Sequence, residues 1–205
     1  MLEAADLECV RGGRSLFRGL SLSLGAGELV RVAGANGRGK TSLLRILCGL
    51  LAPASGEVRW KGEPIARLKE EYARELVYLG HAPAVKDELT AEENLGIASR
   101  LSGQIFPANV LQEALERFGV PAGRQVGRMS QGQRRRAALA RLAISESVPL
   151  WLLDEPFAAL DANAAALVES LAAAHVARGG MAIVTTHQAS GLSFSRTVEL
   201  EAAHG

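Results

Sequence analysis

The sequence predicts an α/β fold with a mainly parallel sheet core, and three observations support this prediction. Two near-continuous apolar runs, LWLLD at 150–154 and MAIVTT at 181–186, are typical of parallel strands buried between helices. A third apparent strand, LVRVA at 29–33, leads into a glycine-rich turn. From about 83 to 144 the pattern is mostly helical, which indicates that a helical insertion interrupts the sheet core.

Other elements follow from local patterns. SGEVRWKGEPI predicts a hairpin that turns at Lys61-Gly62. TSLLRILCGLL at 41–51 predicts a helix with leucines on one face and Gly49 near its end. Within the insertion, TAEENLGIASRL begins with the capping-box spacing of Thr90 and Glu93, and ANVLQEALERFG predicts a second amphipathic helix. DANAAALVESLAAAHVARGG predicts a helix that ends at its glycine pair.

Composition and charge narrow the classes of function. The chain has 205 residues and a formal net charge of +1, so bulk charge gives no argument for a nucleic-acid partner. Cys9 and Cys48 lie far apart, which excludes a disulfide framework or zinc motif and fits a reducing compartment. No apolar run approaches the roughly 20 residues of a membrane-spanning helix. The chain is expected to be soluble, or held at a membrane by a partner.

A phosphate-binding loop follows the strand at 29–33. The segment GANGRGKT matches the pattern G-x-x-x-x-G-K-[ST], with a strand before it and a helix after it. Its glycines let backbone N–H groups surround a phosphate, and the helix N-terminus adds a favourable dipole. Lys40 would reach the β- and γ-phosphates, and the Thr41 hydroxyl would bind Mg²⁺. The predicted nucleotide-binding residues are Gly34, Ala35, Asn36, Gly37, Arg38, Gly39, Lys40, Thr41 and Ser42.

Two adjacent acids complete this predicted site. LWLLDEP ends an apolar strand with Asp154 and Glu155. Buried carboxylates are costly unless they face a cation or water. Asp154 is therefore predicted to join the Mg²⁺ shell, usually through water, and Glu155 to polarise the attacking water as a general base. Together with the phosphate loop, the acid pair indicates a nucleoside triphosphatase.

The segment MSQGQRRRAALARL contains a second candidate anion site. Ser130 and Gln133 have the spacing of a capping box, and Gly132 leaves backbone exposed at the start of a helix. One γ-phosphate does not need two such sites from the same molecule. The second site is therefore expected to complete the first site of another copy. The three arginines at 134–136 are expected to form a solvated helix face near the nucleotide.

Five motifs in order make the sequence resemble the ATP-binding-cassette ATPases over essentially its whole length. They are the phosphate loop GANGRGKT, the signature MSQGQ where the family has LSGGQ, the acidic strand LWLLDE, the D-loop AALD and the switch histidine of TTHQ. The resemblance implies one domain over 1–205, with an N-terminal antiparallel β part. It places the core at about 1–82 and 145–205 and the helical insertion at about 83–144.

The resemblance also implies a head-to-tail homodimer with two ATP molecules, each between the phosphate loop of one copy and the signature of the other. ATP binding would close the dimer and hydrolysis would reopen it. Asp161 would end the D-loop, and His187 would contact the γ-phosphate. The signature residues that would contact the partner's ATP are Ser130, Gln131, Gly132 and Gln133.

Besides Met129 and Gln131 in the signature, two further positions depart from the family pattern. Family members usually stack adenine on an aromatic residue, and here Arg11 stands at that position, although a guanidinium can also stack on a base. Aligning YLGHAP with the usual YLPQxP puts His81 where the family has a glutamine that contacts Mg²⁺ and the attacking water. Two interpretations remain open. Either His81 replaces that glutamine as the hydrogen-bonding partner of water, or the glutamine is displaced by one position and Ala82 leaves the role empty.

A closer resemblance concerns the subfamily. GHAP, the arginine run, EPFAALD, TTHQ and the chain length are similar to the bacterial ATP-binding subunit of cytochrome c biogenesis, or haem exporter, systems. This resemblance implies a peripheral protein on the cytoplasmic face of the inner membrane. It would pair with integral membrane subunits and power haem delivery or release. The chain has no C-x-x-C-H motif and no His or Cys cluster, so it is not expected to bind haem directly.

Three other functions compete with this one. The chain could be the ATPase subunit of another small-molecule exporter, or a soluble cassette ATPase that acts on nucleic acid or ribosomes. It could also be a nucleotide-gated scaffold without catalysis, which the presence of Glu155 and His187 argues against. The motif set favours a transporter subunit, with no nucleic-acid partner expected.

Overall fold

Nine strands form two sheets in the computed structural model, which describes residues 1–188 and 190–200. In chain order the strands are β1 (Leu2–Arg11), β2 (Arg14–Leu24), β3 (Leu29–Ala33), β4 (Ser55–Trp60), β5 (Glu63–Pro64), β6 (Leu76–Leu79), β7 (Leu150–Asp154), β8 (Met181–Thr185) and β9 (Arg196–Glu199). Four form an antiparallel sheet in the order β2-β1-β4-β5, and five form a parallel sheet in the order β6-β7-β8-β3-β9. This arrangement confirms the predicted fold class.

Seven α-helices are present in the same described residues. They are α1 (Lys40–Leu47), α2 (Ile65–Leu68), α3 (Glu70–Arg74), α4 (Ala91–Leu101), α5 (Ala108–Arg117), α6 (Gln131–Leu139) and α7 (Ala162–Ala177). Short 3₁₀ turns at Val126–Arg128 and Ala140–Ile144 flank α6. The stretch 83–144 contains α4, α5 and α6 and no strand. Within the described chain, no helix has the length and apolar character that crossing a bilayer requires.

Local signals explain where several elements begin and end. The hairpin of β4 and β5 turns at Lys61 and Gly62, which both have positive φ. Thr90 and Glu93 form the predicted capping box at the start of α4, with the Glu93 N–H donating to Thr90 Oγ1 at 3.1 Å. The helix α1 ends at Leu47, and Gly49 follows with a φ of 78° that terminates it, which confirms the predicted position of Gly49 near the helix end.

Side chains of β7 divide the hydrophobic core into two clusters. Leu150 and Leu152 belong to the cluster around α1, between the two sheets. Trp151 and Leu153 belong to the cluster shared with α4, α5 and α7. Because successive side chains of a strand point to opposite faces, Asp154 lies on the α1 side. The strand therefore brings its terminal carboxylate to the start of α1.

Candidate nucleotide site

The loop between β3 and α1 has a backbone conformation that glycine adopts readily. Gly34, Gly37 and Gly39 have φ values of 139°, 80° and 93°, and a side chain at such angles is strained. A Cβ on Gly34 would also lie 2.9 Å from the carbonyl oxygen of Leu200. The helix α1 begins at Lys40 without a side-chain cap. Its first turn is therefore an N-terminus of the kind that binds anions.

Lys40 is held inside this loop. Its Nζ donates to the carbonyl oxygens of Gly34 at 2.8 Å and Ala35 at 3.3 Å, and the residue is only 8% exposed. The N–H of Arg38 donates to the Ala35 carbonyl at 3.2 Å, which closes the turn of the loop. Among the described residues the hydrogen-bond partners of this buried ammonium are neutral carbonyls, which favours binding of an anion, because the anion supplies the compensating charge.

The carboxylate of Asp154 accepts hydrogen bonds at both oxygens. Thr41 Oγ1 donates to Oδ2 at 2.7 Å, and Thr185 Oγ1 donates to Oδ1 at 2.7 Å. Asp154 is 1% exposed, so these bonds compensate for part of its lost hydration. Hydroxyl and carboxylate oxygens are ligands that Mg²⁺ prefers, so Thr41 and Asp154 fit the predicted metal position. Thr185 was not predicted, although a threonine at the end of an apolar run is a usable signal.

Glu155 has a strained backbone and a partly buried carboxylate. Its φ is 49°, a left-handed conformation that costs a non-glycine residue about 1–2 kcal/mol. Its N–H donates to both the carbonyl oxygen and Oγ1 of Thr185, at 3.0 Å and 2.9 Å. Its Oε2 accepts from the N–H of His187 at 3.3 Å, and its Oε1 lies 3.5 Å from His187 Nε2. The acid and the histidine therefore form a pair at the ends of β7 and β8.

These groups border one open cleft of about 590 Å³, within the usual range of about 300–1,000 Å³ for small-molecule sites. From the phosphate loop and the start of α1 come Asn36, Gly37, Gly39, Lys40, Thr41 and Ser42. From other elements come Leu16, His81, Asp154, Glu155, Ala158 and His187. The fold thus brings the predicted phosphate loop, acid pair and switch histidine together.

The loop after β6 places His81 and Ala82 differently. His81 lines the cleft beside the phosphate loop. Ala82 lines a separate small cavity that is bordered by α4 and α6 residues, including Leu95 and Leu139. Both residues are exposed. The two positions left open by the sequence therefore border different cavities, and His81 is the one that shares the cleft with the acid pair.

The predicted signature lies at the start of α6, outside the lining of this cleft. The N–H of Gln133 donates to Ser130 Oγ at 3.2 Å, and the N–H of Ser130 donates to Gln133 Oε1 at 3.1 Å. This confirms the predicted capping box. Gln131 is exposed, and a Cβ built on Gly132 would have its nearest contact at 3.6 Å. This helix start is accessible to a ligand carried by another molecule.

Asp161, the predicted D-loop residue, caps α7. Its Oδ1 accepts from the N–H of Ala164 at 2.8 Å. Its Oδ2 lies 3.4 Å from Arg136 Nη1, so the D-loop contacts the signature helix α6 within one chain. The side chain is exposed and does not line the cleft.

The three arginines after the signature do not form one solvated face, which corrects the sequence-based expectation. Arg134 and Arg136 are partly exposed and pair with Asp87 and Asp161. Arg135 is instead 5% exposed. A run of three like residues has no helical periodicity, so the sequence gives no signal of which arginine points inward.

Arg135 makes four hydrogen bonds to backbone carbonyls. Its Nη1 donates to Gly80 at 2.7 Å and His81 at 3.0 Å, and its Nη2 donates to Asp154 at 3.0 Å and Glu155 at 2.7 Å. Burial lowers the pKa of Arg135, and the nearby charges of Asp154 and Glu155 oppose that lowering. The guanidinium remains the charged form, as arginine does in proteins.

Arg11 lies apart from the cleft lining. It is exposed at the end of β1, where its backbone is in register with that of Arg14 on β2 across a glycine turn. Leu16, on β2, lines the cleft instead, and a Cβ on Gly39 would lie 3.2 Å from its Cβ. The role of Arg11 toward adenine stays a prediction. Leu16 was missed because one leucine in a strand carries no functional signal.

A parallel sheet with a glycine loop after β3, an acid pair at the end of β7 and a second helix start outside the cleft define a P-loop ATPase of the ATP-binding-cassette class. The family model described as ABC transporter matches residues 17–158. The chain belongs to the ABC transporter family, in which it is an ATP-hydrolysing subunit.

Known proteins that are similar to this chain in sequence or structure belong to the same family of ABC transporters. The chain is 50% identical over 200 residues to the cytochrome c biogenesis ATP-binding export protein CcmA of Aromatoleum aromaticum, which covers 97% of this chain and 94% of that protein. A solved ATP-binding subunit of an ABC transporter superposes with a TM-score of 0.82 at 26% identity, covering 91% of this chain and 79% of that one. A dimeric bacterial ABC transporter cassette gives a TM-score of 0.80 at 23% identity over 92% and 88% of the two chains, a likeness of fold alone.

Proposed function

We propose that this chain powers haem export or release during c-type cytochrome biogenesis. The observation that carries the proposal is the 50% identity, over nearly the whole chain, to a protein named for ATP binding and export in cytochrome c biogenesis. The motifs GHAP, EPFAALD and TTHQ support the same assignment. In this proposal haem contacts the membrane subunits, and this chain supplies the energy.

ATP binds with its phosphates at the loop 34–41 and the start of α1. Lys40 leaves the carbonyls of Gly34 and Ala35 for the β- and γ-phosphates, because a charged acceptor forms a stronger bond than a neutral one. Thr41 and Asp154 are the residues that would hold Mg²⁺. When bound, that ion neutralises charge on the phosphates.

Glu155 is the proposed general base. Its carboxylate borders the cleft, and it accepts from the backbone of His187, which limits its rotation. Proton acceptance from the attacking water would contribute about 10²–10⁴-fold to the rate. His187 lies beside it with Nε2 3.5 Å from Oε1, where an imidazole N–H can contact a γ-phosphate oxygen.

His81 takes the position of the usual glutamine toward the attacking water. Its place in the lining of the cleft supports this interpretation, and the place of Ala82 in a different cavity argues against an empty position. A neutral imidazole can donate or accept one hydrogen bond at each nitrogen. The loop that carries it connects β6 to α4, so it also joins the cleft to the helical stretch.

Two copies assemble head to tail around two ATP molecules. Support comes from the signature residues Ser130–Gln133, which form an exposed helix start outside the lining of the cleft in their own chain. A helix N-terminus of this kind favours a phosphate. The cassette of like fold that is described as dimeric is consistent with this assembly.

The dimer works with integral membrane subunits at the cytoplasmic face of the inner membrane. Members of the ABC transporter family act with membrane-embedded partners, and the matched relative is named an export protein. The chain is proposed to be peripheral, bound to the membrane through those subunits.

Co-purification from membranes tests this function. An affinity-tagged chain is expressed in a strain from which its own gene is deleted, and bound membrane proteins are identified together with the content of c-type cytochromes. We expect c-type cytochrome assembly components to co-purify and the wild-type chain, but not Lys40→Ala, to restore covalent haem attachment. Normal c-type cytochromes in the deletion strain, or ATPase stimulation by DNA or ribosomes without any membrane partner, would refute the proposal.

A further inference from the structure

The guanidinium of Arg135 connects two strand ends that border the nucleotide cleft. The strands β6 and β7 are neighbours in the parallel sheet, and each is followed by a loop that supplies a cleft residue, His81 or Glu155. Arg135 binds two consecutive carbonyls at or just after the end of each strand, with four donor–acceptor distances from 2.7 to 3.0 Å. A planar guanidinium has a fixed fork of donors, so it sets the spacing between the two loops.

The backbone of Glu155 needs such support. Its left-handed φ of 49° persists only where surrounding contacts determine it. Thr185 on β8 holds its N–H from one side, and Arg135 on α6 holds its carbonyl from the other. The peptide groups on both sides of Glu155 are therefore fixed, which directs its carboxylate toward the cleft.

We infer that Arg135 is a positioning residue for ATP hydrolysis, which holds Glu155 and His81 in place at the γ-phosphate and ties the signature helix α6 to the site of its own chain. The inference rests on the proposed roles of Glu155 and His81. Because the start of α6 would bind the ATP of the other site, Arg135 also links the two sites of the dimer.

Substitutions of Arg135 separate positioning from a contribution to folding alone. Arg135→Gln removes the charged fork, whereas Arg135→Lys keeps the charge and three donors. Arg141→Gln is the matched control. Arg141 is another largely buried arginine, whose Nη2 donates to Ser102 Oγ at 2.5 Å and which does not line the cleft.

The purified full chains are compared in ATP affinity, turnover and melting temperature. We expect Arg135→Gln to lose turnover on the order of 10²-fold, as misplaced catalytic groups do, with ATP affinity close to that of the parent. Arg135→Lys should recover part of the rate. Arg141→Gln should lower the melting temperature by a similar amount but keep the parental turnover.

Three results would overturn the inference. They are parental turnover in Arg135→Gln, a lysine variant as slow as the glutamine variant, and a rate loss in Arg141→Gln equal to that in Arg135→Gln. Glu155→Gln distinguishes the inference from its premise. If Glu155→Gln is slow while Arg135→Gln is normal, only the positioning role fails; if Glu155→Gln turns over normally, the assignment of the base itself fails.

Discussion

At the scale of a residue, the backbone conformation of Glu155 determines where its carboxylate points. It follows the last residue of β7, where the left-handed backbone turns its carboxylate toward His187 and the phosphate loop. Asp154, one position earlier, instead accepts one hydrogen bond at each oxygen, from two threonines. The two adjacent acids therefore have different environments, which suits one to a metal position and the other to proton transfer.

Replacing Glu155 with glutamine should separate binding from hydrolysis. Glutamine keeps the shape and can still accept from the His187 N–H, but it cannot take a proton from water. We expect ATP binding to persist, turnover to fall by about 10²–10⁴-fold, and an ATP-bound dimer to accumulate. Single-turnover hydrolysis and gel filtration with ATP measure both effects. Hydrolysis at the parental rate would show that Glu155 is not the base.

Replacing His81 with alanine should lower turnover while ATP binding persists. His81 lines the cleft, and alanine can neither donate nor accept a hydrogen bond with the attacking water. The amide of His81→Gln can do both, so this variant should keep more of the turnover than His81→Ala. Turnover and ATP affinity of the two variants measure the effect, and parental turnover in His81→Ala would contradict the role proposed for His81.

At the scale of elements, α7 packs on β7 through a buried pair of rings. His175 stacks on Trp151 with ring centroids 4.0 Å apart and planes 4° from parallel, and its Nε2 donates to the carbonyl oxygen of Met181 at 3.3 Å. It is 1% exposed. Burial lowers the pKa of His175, with the Met181 carbonyl partly opposing this effect and the charge of Arg178 adding to it.

This histidine should make stability depend on pH. Because its pKa is lower in the folded chain than in the unfolded chain, the folded state binds fewer protons in acid. The stability that neutral His175 contributes is complete above its unfolded-state pKa of about 6.5, and it is lost as the pH falls below that pKa. Urea unfolding between pH 7.5 and 5, in steps of about half a unit, should show a falling free energy of unfolding in the parent and a flatter dependence in His175→Gln. Equal slopes would contradict this account.

Elements defined by local chemistry could be predicted from the sequence, and those defined by distant contacts could not. The phosphate loop and both capping boxes depend on residues within a few positions of one another, such as Ser130 and Gln133. The buried side chain of Arg135 binds carbonyls of residues that are 19 to 55 positions away in the sequence. No local sequence pattern encodes such contacts. The edge strand β9 was missed because its residues are mostly exposed and lack apolar alternation.

At the scale of the whole molecule, the proposed head-to-tail dimer makes the cleft and the signature of one chain two halves of different sites. The phosphate loop, acid pair and His187 line the cleft, whereas Ser130–Gln133 lie outside it. Arg135 connects these halves because it joins α6 to the end of β7, while Asp161 at the start of α7 also contacts α6. Closure of two copies on ATP would therefore act on the acid pair of each copy.

Retention of ATP by mixed dimers tests the shared site most directly. In a Glu155→Gln background, chains with Lys40→Ala are mixed with chains with Ser130→Arg, and the ATP that stays bound through gel filtration is measured. In a head-to-tail dimer, one site combines the intact phosphate loop of the second chain with the intact signature of the first. We predict that the mixture retains ATP at one site per mixed dimer, while neither variant alone retains it. A mixture that retains none, when the Glu155→Gln chain alone retains ATP, would contradict the account.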